Sequence, residues 1–211
     1  GALPADTRLE DELSMAARLH VSRPTARQAL QRLVDRGLLT RRRGVGTIVS
    51  PRHVHRPMEL TSLMRDLVNA GHKVHTTIQR YEARPANAQE ADILKITEGT
   101  LIVHIERTRF ANDEPIAVLT NFIPTDIAPT MQELESASLY DLMRERGVTL
   151  ASARQVIGAR SATTKEAKLL SEHRGAALLT TQRTTYDPSG RIVEYGNHIY
   201  RASRYSFEAS L

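Results

Sequence analysis

Between Leu9 and Val34 two short apolar stripes follow each other so closely that the chain has little freedom in joining them. Leu9, Leu13, Ala16, Ala17 and Leu19 recur mostly at three- and four-residue steps and mark one face of a short helix. Ala26, Ala29, Leu30, Leu33 and Val34 mark a second. Ser22 stands where an N-cap belongs, Pro24 falls in the first turn where its missing N–H costs nothing, and Gly37 is placed to close the helix. Two helices joined by about three residues fold back as a helix-turn-helix pair. Thr25, Gln28 and Arg32 then lie on the open side of the second helix, with Arg23 and Arg27 flanking its start. Such a helix fits the ~12 Å major groove of duplex DNA.

The next segment, Leu38 to Val49, reads as two short strands around a glycine-flanked tip. Arg41, Arg42 and Arg43 are adjacent there, and Gly44 and Gly46 allow the backbone close to a phosphate or groove wall. Charge supports the same partner. Residues 1–56 hold 11 arginines against five acidic residues, a net of +6, whereas the rest of the chain holds 18 basic and 19 acidic residues. A basic head on a neutral body suits a polyanion bound at one end.

These residues carry a resemblance. Leu9-x-x-Glu12, Val21-Ser22-Arg23-x-Thr25-x-Arg27-x-Ala29-Leu30, Gly37-Leu38 and Gly44-x-Gly46-Thr47 are similar to the winged helix of GntR-type bacterial transcription regulators. The resemblance implies that Arg23, Thr25, Arg27, Gly44 and Gly46 approach DNA, and it places the family's first helix ahead of Gly1. Glu10 and Asp11 stand where the family has proline and serine, and Leu13 stands where it often has a DNA-contacting arginine, leaving Arg8 to replace that contact. The expected DNA-facing set is therefore Arg8, Ser22, Arg23, Thr25, Arg27, Gln28, Arg43, Gly44, Gly46 and Thr47.

Ser50 to Pro57 has no apolar period and carries Pro51 and Pro57 near its ends. Residues 51–57 are read as a linker between a DNA-binding domain over 1–50 and a second domain over 58–211. His53 and His55 have no nearby carboxylate to complete a metal site, so no metal or other cofactor is expected. Beyond the linker, Leu60 to Val68 predicts a helix ending at Gly71. Strands are predicted over 73–84, 101–110, 116–123, 149–162, 176–187 and 191–207, with helices over 87–94, 138–146 and 164–171. Strands joined mostly by hairpins, with helices between some of them, make an α+β domain with a largely antiparallel sheet.

On the strand from Leu101 the apolar face Leu101, Val103, Ile105 continues in the same parity to Arg107 and Arg109. Two arginines ending an apolar face are costly to bury without an anion, and the planar guanidinium suits phosphate or carboxylate. The competing reading pairs them with Glu106, Glu114 or Glu194, or leaves the strand end in solvent. Arg107-x-Arg109, Glu114-Pro115-Ile116-Ala117, Ser138-Leu139-Tyr140, Tyr186-Asp187, Gly190, Glu194 and Tyr200-Arg201-x-x-Arg204-Tyr205-x-Phe207 together resemble the effector-sensing (UTRA) domain of HutC-subfamily GntR regulators, a domain with a chorismate-lyase-like fold. The resemblance implies that Arg107 and Arg109 hold phosphate, while Ser138, Glu194 and Tyr200 contact the rest of a ligand and Tyr140 lines the same pocket. Leu63 and Met64 replace an aromatic and a hydroxyl residue of the sugar-phosphate sensors.

The expectation is a cytoplasmic, ligand-controlled repressor that binds a two-fold operator as a homodimer, with the second domain holding both effector and dimer contact. It is not expected to be an enzyme. A lyase-like enzyme and an effector-independent architectural DNA-binding protein stand as alternatives; turnover of an ester would favour the first, and indifference of DNA affinity to small anions the second. The absence of cysteine excludes disulfides, and no apolar run reaches the ~20 residues of a membrane helix.

Overall fold

The structure, a computed structural model, describes residues 3–4, 7–35, 39–42, 45–49, 54–57 and 62–208. The chain divides into two compact units, residues 1–54 and 55–211.

In the first unit α1 (Glu12–Arg18) and α2 (Arg23–Asp35) precede a hairpin of β1 (Leu39–Arg42) and β2 (Gly46–Val49). The helix expected from Leu9 begins at Glu12 because Asp11 caps it, its carboxylate accepting from the N–H groups of Leu13 and Ser14. Ser22 caps α2 as expected: its Oγ accepts from Thr25 N–H at 3.3 Å and lies 2.7 Å from Thr25 Oγ1. Ala16, Ala26, Leu30, Leu39 and Ile48 are buried, whereas Ala29 and Leu33 of the second stripe lie at the surface. The hairpin pairs Arg41 with Thr47 and Arg42 with Gly46. Arg8 bridges Ile48 in an isolated antiparallel bridge, with Leu9 N–H donating to the Thr47 carbonyl and Val49 N–H to that of Thr7, so the segment before α1 lies along β2. Gly37, Arg43 and Gly44 lie outside the described residues.

The second unit begins with β3 (Val54–Pro57), followed by α3 (Leu63–Asn69), β4 (Val74–Pro85), α4 (Ala88–Leu94), β5 (Leu101–Ala111), β6 (Glu114–Pro124), α5 (Met131–Ser136), α6 (Leu139–Glu145), β7 (Ser152–Ser161), α7 (Thr164–Leu169), β8 (Ala177–Tyr186), β9 (Ile192–Arg201) and β10 (Tyr205–Glu208). Six strands form one antiparallel sheet in the order β4-β5-β6-β9-β8-β7. Asn112 and Asp113 turn the β5–β6 hairpin with φ of 51° and 66°, and Gly190 turns β8–β9 at φ 85°.

Both faces of the sheet are covered. Val103, Ile105 and Ile123 pack under α5 and α6 against Leu134, Leu139, Leu142 and Met143. On the opposite face Ile102 meets Ala91 and Leu94 of α4, while Val118, Leu178 and Ile199 meet Ala167 and Leu170 beside α7.

Three expectations need correction. Residues 54–57, read as linker, form a strand that pairs with β10. The single strand expected over 191–207 is two: Arg201, buried and held by Glu172 Oε1 at 3.0 Å and the Pro115 carbonyl at 3.0 Å, ends β9, and a turn at 202–204 sends β10 into the small sheet. The helix α5 was not anticipated.

Candidate anion-binding cavity and nucleic-acid interface

In the first unit, Ser22, Arg23, Thr25, Arg27 and Gln28 are all exposed on the first turns of α2. Arg23, Arg27 and Arg32 make no ion pair among the described residues. Glu10 neutralises Arg18, and Arg41 of the wing reaches Glu12 at 3.4 Å, so among the described residues the basic groups left open are those of α2 and Arg8. Gly46 has φ +103°, and a Cβ there would lie 3.5 Å from Arg8 Nε. That distance is ordinary contact, so it is the positive φ that calls for glycine, and the exposed Arg8 lies beside the wing backbone.

In the second unit the alternation of β5 brings Arg107 and Arg109 onto the face covered by α5 and α6, past the point where apolar packing ends. Both are buried, at 3% and 2% exposure. Register continues the face across the sheet: Arg107 lies opposite Leu119, which lies opposite His198, and Arg109 opposite Ala117, which lies opposite Tyr200. Arg107, Arg109, Leu119, Asn121, Arg183, His198 and Tyr200 line a cavity of about 40 Å³, roofed by Ser62, Leu63 and Met64 at the start of α3 and by Leu139 and Tyr140 of α6.

None of the three glutamates weighed as partners reaches these arginines. Glu106 pairs with Lys165, and Glu114 pairs with Arg201 and Arg204. Glu194 is fully buried behind the cavity wall rather than in its lining. It accepts from Asn121 Nδ2 at 2.6 Å, Thr185 Oγ1 at 2.8 Å and Tyr140 OH at 3.2 Å. Asn121 in turn accepts from Arg107 Nη2 at 2.9 Å. A Cβ at Gly196 would stand 2.5 Å from both Glu194 Oε1 and His198 Nε2, so glycine is what lets these side chains share the strand's face. Burial pushes the Glu194 carboxyl up, opposed by its hydrogen bonds and by Arg183. Burial, then the Glu194 charge, pushes the Tyr140 hydroxyl up to about 12, so it donates at neutral pH.

The two arginines remain under-satisfied. Nε and Nη1 of Arg107 and of Arg109 are buried without a hydrogen-bond partner among the described residues. Burial draws Arg107 down to about 10, and burial with the neighbouring Arg107 charge draws Arg109 down to about 9, so both stay protonated at pH 7. Even with Glu194 ionised, Arg107, Arg109 and Arg183 leave a formal charge of +2 around the cavity. An incoming anion would supply the missing acceptors.

The face brings together the expected Leu63, Met64, Arg107, Arg109, Tyr140 and Tyr200. Ser138 holds the N-cap position of α6 just outside the lining, buried, with no side-chain cap bond and no partner for its Oγ among the described residues. Arg183, His198, Asn121, Leu119, Leu139 and Ser62 were missed. His198 shares the parity of Glu194 and Tyr200 and was legible on that ground. Among the described residues no His, Asp or Glu cluster is placed to hold a metal; His53 and the side chain of His55 lie outside them.

A helix-turn-helix with arginines exposed on its second helix, on a chain whose second unit buries arginines around a cavity, defines a DNA-binding regulator with a sensor domain. Residues 1–49 match the bacterial regulatory proteins of the gntR family, and residues 69–206 match the UTRA domain. The chain is 34% identical over 98% of its length to the HTH-type transcriptional repressor NagR of Bacillus subtilis (strain 168), covering 86% of that protein. It is 32% identical over 94% of its length to PhnF of Escherichia coli (strain K12), covering 84% of that protein. The crystal structure of PhnF from Mycobacterium smegmatis shares the fold, with a TM-score of 0.92 over 100% of this chain and 94% of that one at 24% identity. The chain belongs to the GntR family, in the HutC branch that carries a UTRA domain. It is a transcriptional regulator and not an enzyme, and the lyase alternative finds no support among its relatives.

Proposed function

We propose that the protein is a cytoplasmic repressor whose grip on operator DNA is released by a small anion bound at Arg107 and Arg109. The observation that carries this reading is the set of buried, partnerless Nε and Nη1 groups of those two arginines over a cavity of net positive charge. Desolvating a guanidinium costs several kcal/mol when no anion answers it. Such a residue is retained where a phosphate, phosphonate or carboxylate repeatedly occupies the site. Thr25, Arg27 and Gln28 would enter the major groove from α2, with Ser22 and Arg23 at the phosphate backbone and Arg8, Arg43, Gly44, Gly46 and Thr47 following the wing. A homodimer would match a two-fold operator. The repressor sense follows the name of the NagR relative.

The cavity as it stands has room for only a few waters. An effector therefore enters by moving Ser62, Leu63 and Met64, and these open the helix that follows the segment leading from the DNA-binding head. Ser62 makes no side-chain cap bond to hold that first turn in place. A thermal-shift screen of phosphorylated sugars, phosphonates and carboxylic acids, followed by operator titration with each hit, tests the proposal. A hit should raise the Tm, weaken operator binding, and do neither in Arg107→Ala/Arg109→Ala. A hit that stabilises the double variant equally would remove the cavity as the effector site.

A further inference from the structure

The cavity carries positive charge at two separate places. Arg107 and Arg109 rise from β5 and Arg183 from β8, with β6 and β9 between them. Register places Arg183 in the row of Gly196, Asn121 and Ile105, two residues along from Arg107, so three inter-strand steps of ~4.8 Å and that offset set the two origins roughly 16 Å apart on one face of the sheet. Glu194 is the one buried carboxylate among the described residues, and it forms a salt bridge with neither group. Asn121 stands between it and Arg107, and Tyr140 stands between it and Arg183, whose Nη1 is 3.5 Å from the tyrosine hydroxyl.

Arg183 is held for a purpose that offsetting Glu194 does not require. Its Nε donates to Gln155 Oε1 at 2.7 Å. Gln155 is the only residue of β7 that is not exposed, so the edge strand gives its one inward side chain to fixing this guanidinium. Anchored through Nε, with only a long contact at Nη1, Arg183 keeps its terminal nitrogens for the cavity that it lines.

We infer that the effector carries two acidic groups joined by a short spacer: one, a phosphate, phosphonate or carboxylate, at Arg107 and Arg109, and a second acid at Arg183. The spacer lies along Asn121, Tyr140 and His198. A single phosphate would match the formal +2 but would sit at one end of the face and leave Arg183 unanswered. Two acids answer both ends, and the planar fork of Arg183 can grip a carboxylate with two parallel hydrogen bonds. This inference rests on the cavity being the effector site.

The test is calorimetric titration of the full chain with two matched series. One holds ω-phosphocarboxylates and dicarboxylates of two to six carbons; the other holds the alkyl phosphates and monocarboxylates of the same lengths, with inorganic phosphate. At one spacer length the two-headed compound should bind about tenfold tighter than its one-headed counterpart, the scale of one charge-assisted pair. That preference should fall to about one in Arg183→Gln, the two-headed compound losing about tenfold more affinity than the alkyl phosphate. Gln155→Leu, on the exposed edge strand, keeps the charge while freeing the guanidinium and should lose most of the preference as well. Equal binding of both series at every length, or equal weakening of both by Arg183→Gln, would overturn the second acidic subsite while leaving the first. Failure of every anion to bind the native chain would remove the anion cavity itself, and the proposed function with it.

Discussion

Arg109 is buried where its charge has least to gain from the protein alone. Its folded pKa, about 9, lies below the 12.5 of the unfolded chain, through burial first and the Arg107 charge second. Between those values the unfolded chain holds more protons, so ligand-free stability rises as pH climbs through about 9 and is held down below it. Replacing Arg109 by methionine should therefore raise stability at pH 7 by about 1 kcal/mol while abolishing anion binding. Thermal unfolding at pH 7 and pH 10, with and without phosphate, checks this; the gain should shrink at pH 10. A lower Tm with anion binding retained would contradict it. The arginine pair was legible because β5 alternates, so Val103 and Ile105 fix the face on which Arg107 and Arg109 fall. Arg183 escaped because its strand, Thr180-Thr181-Gln182-Arg183-Thr184-Thr185, has no apolar alternation to reveal a face. Asn121 escaped because it stands beside Thr120 as a short polar break in a mostly apolar strand, with nothing to tell which of the two faces the cavity. Glu194, expected as a ligand contact, accepts hydrogen bonds from Asn121 and Tyr140, both of which line the cavity.

Among the elements, α7 depends most visibly on its cap. Thr163 and Glu166 form a capping box, and Glu166 also takes two bonds from Arg160 of β7 at 2.8 and 2.6 Å. Those bonds, with help from Thr163, hold its carboxyl down to about 2. The folded value lies below the unfolded one, so the stabilisation is complete above about 4.5 and is lost as pH falls toward 2. Glu166→Gln should cost about 1 kcal/mol at pH 7 and little at pH 2, read from urea midpoints across that range. An equal loss at both ends would mean that shape rather than charge holds the helix. The same Thr-x-x-Glu signal at Thr130 and Glu133 announced α5, but six residues carry too little apolar periodicity to stand out. The pairing of β3 with β10 had no local sign at all. Each strand is four residues long, and their partnership joins opposite ends of the second unit.

At the scale of the whole molecule, charge is divided between the units: the first holds the open arginines and the second holds arginines it has buried. DNA and effector affinities should then be separable by mutation. Arg27→Ala should weaken operator binding by about 1–3 kcal/mol if it reads a base edge and leave effector titration unchanged, while Arg109→Met should do the reverse. Salt dependence adds a count of the heads that meet DNA. The logarithm of the binding constant falls with the logarithm of salt by about 0.9 per neutralised phosphate. A homodimer presents each arginine twice. Arg23→Ala, at the exposed start of α2, should therefore flatten the slope by about 1.8 for two bound heads and by about 0.9 for one. Fluorescence anisotropy of operator DNA from about 50 to 200 mM salt resolves that difference, since such a contact set spans decades of affinity there. A flattening near 0.9 would mean that one head carries the contact and would set aside the two-fold operator. An unchanged slope with loss confined to one base pair would move Arg23 from the phosphate backbone to a base edge.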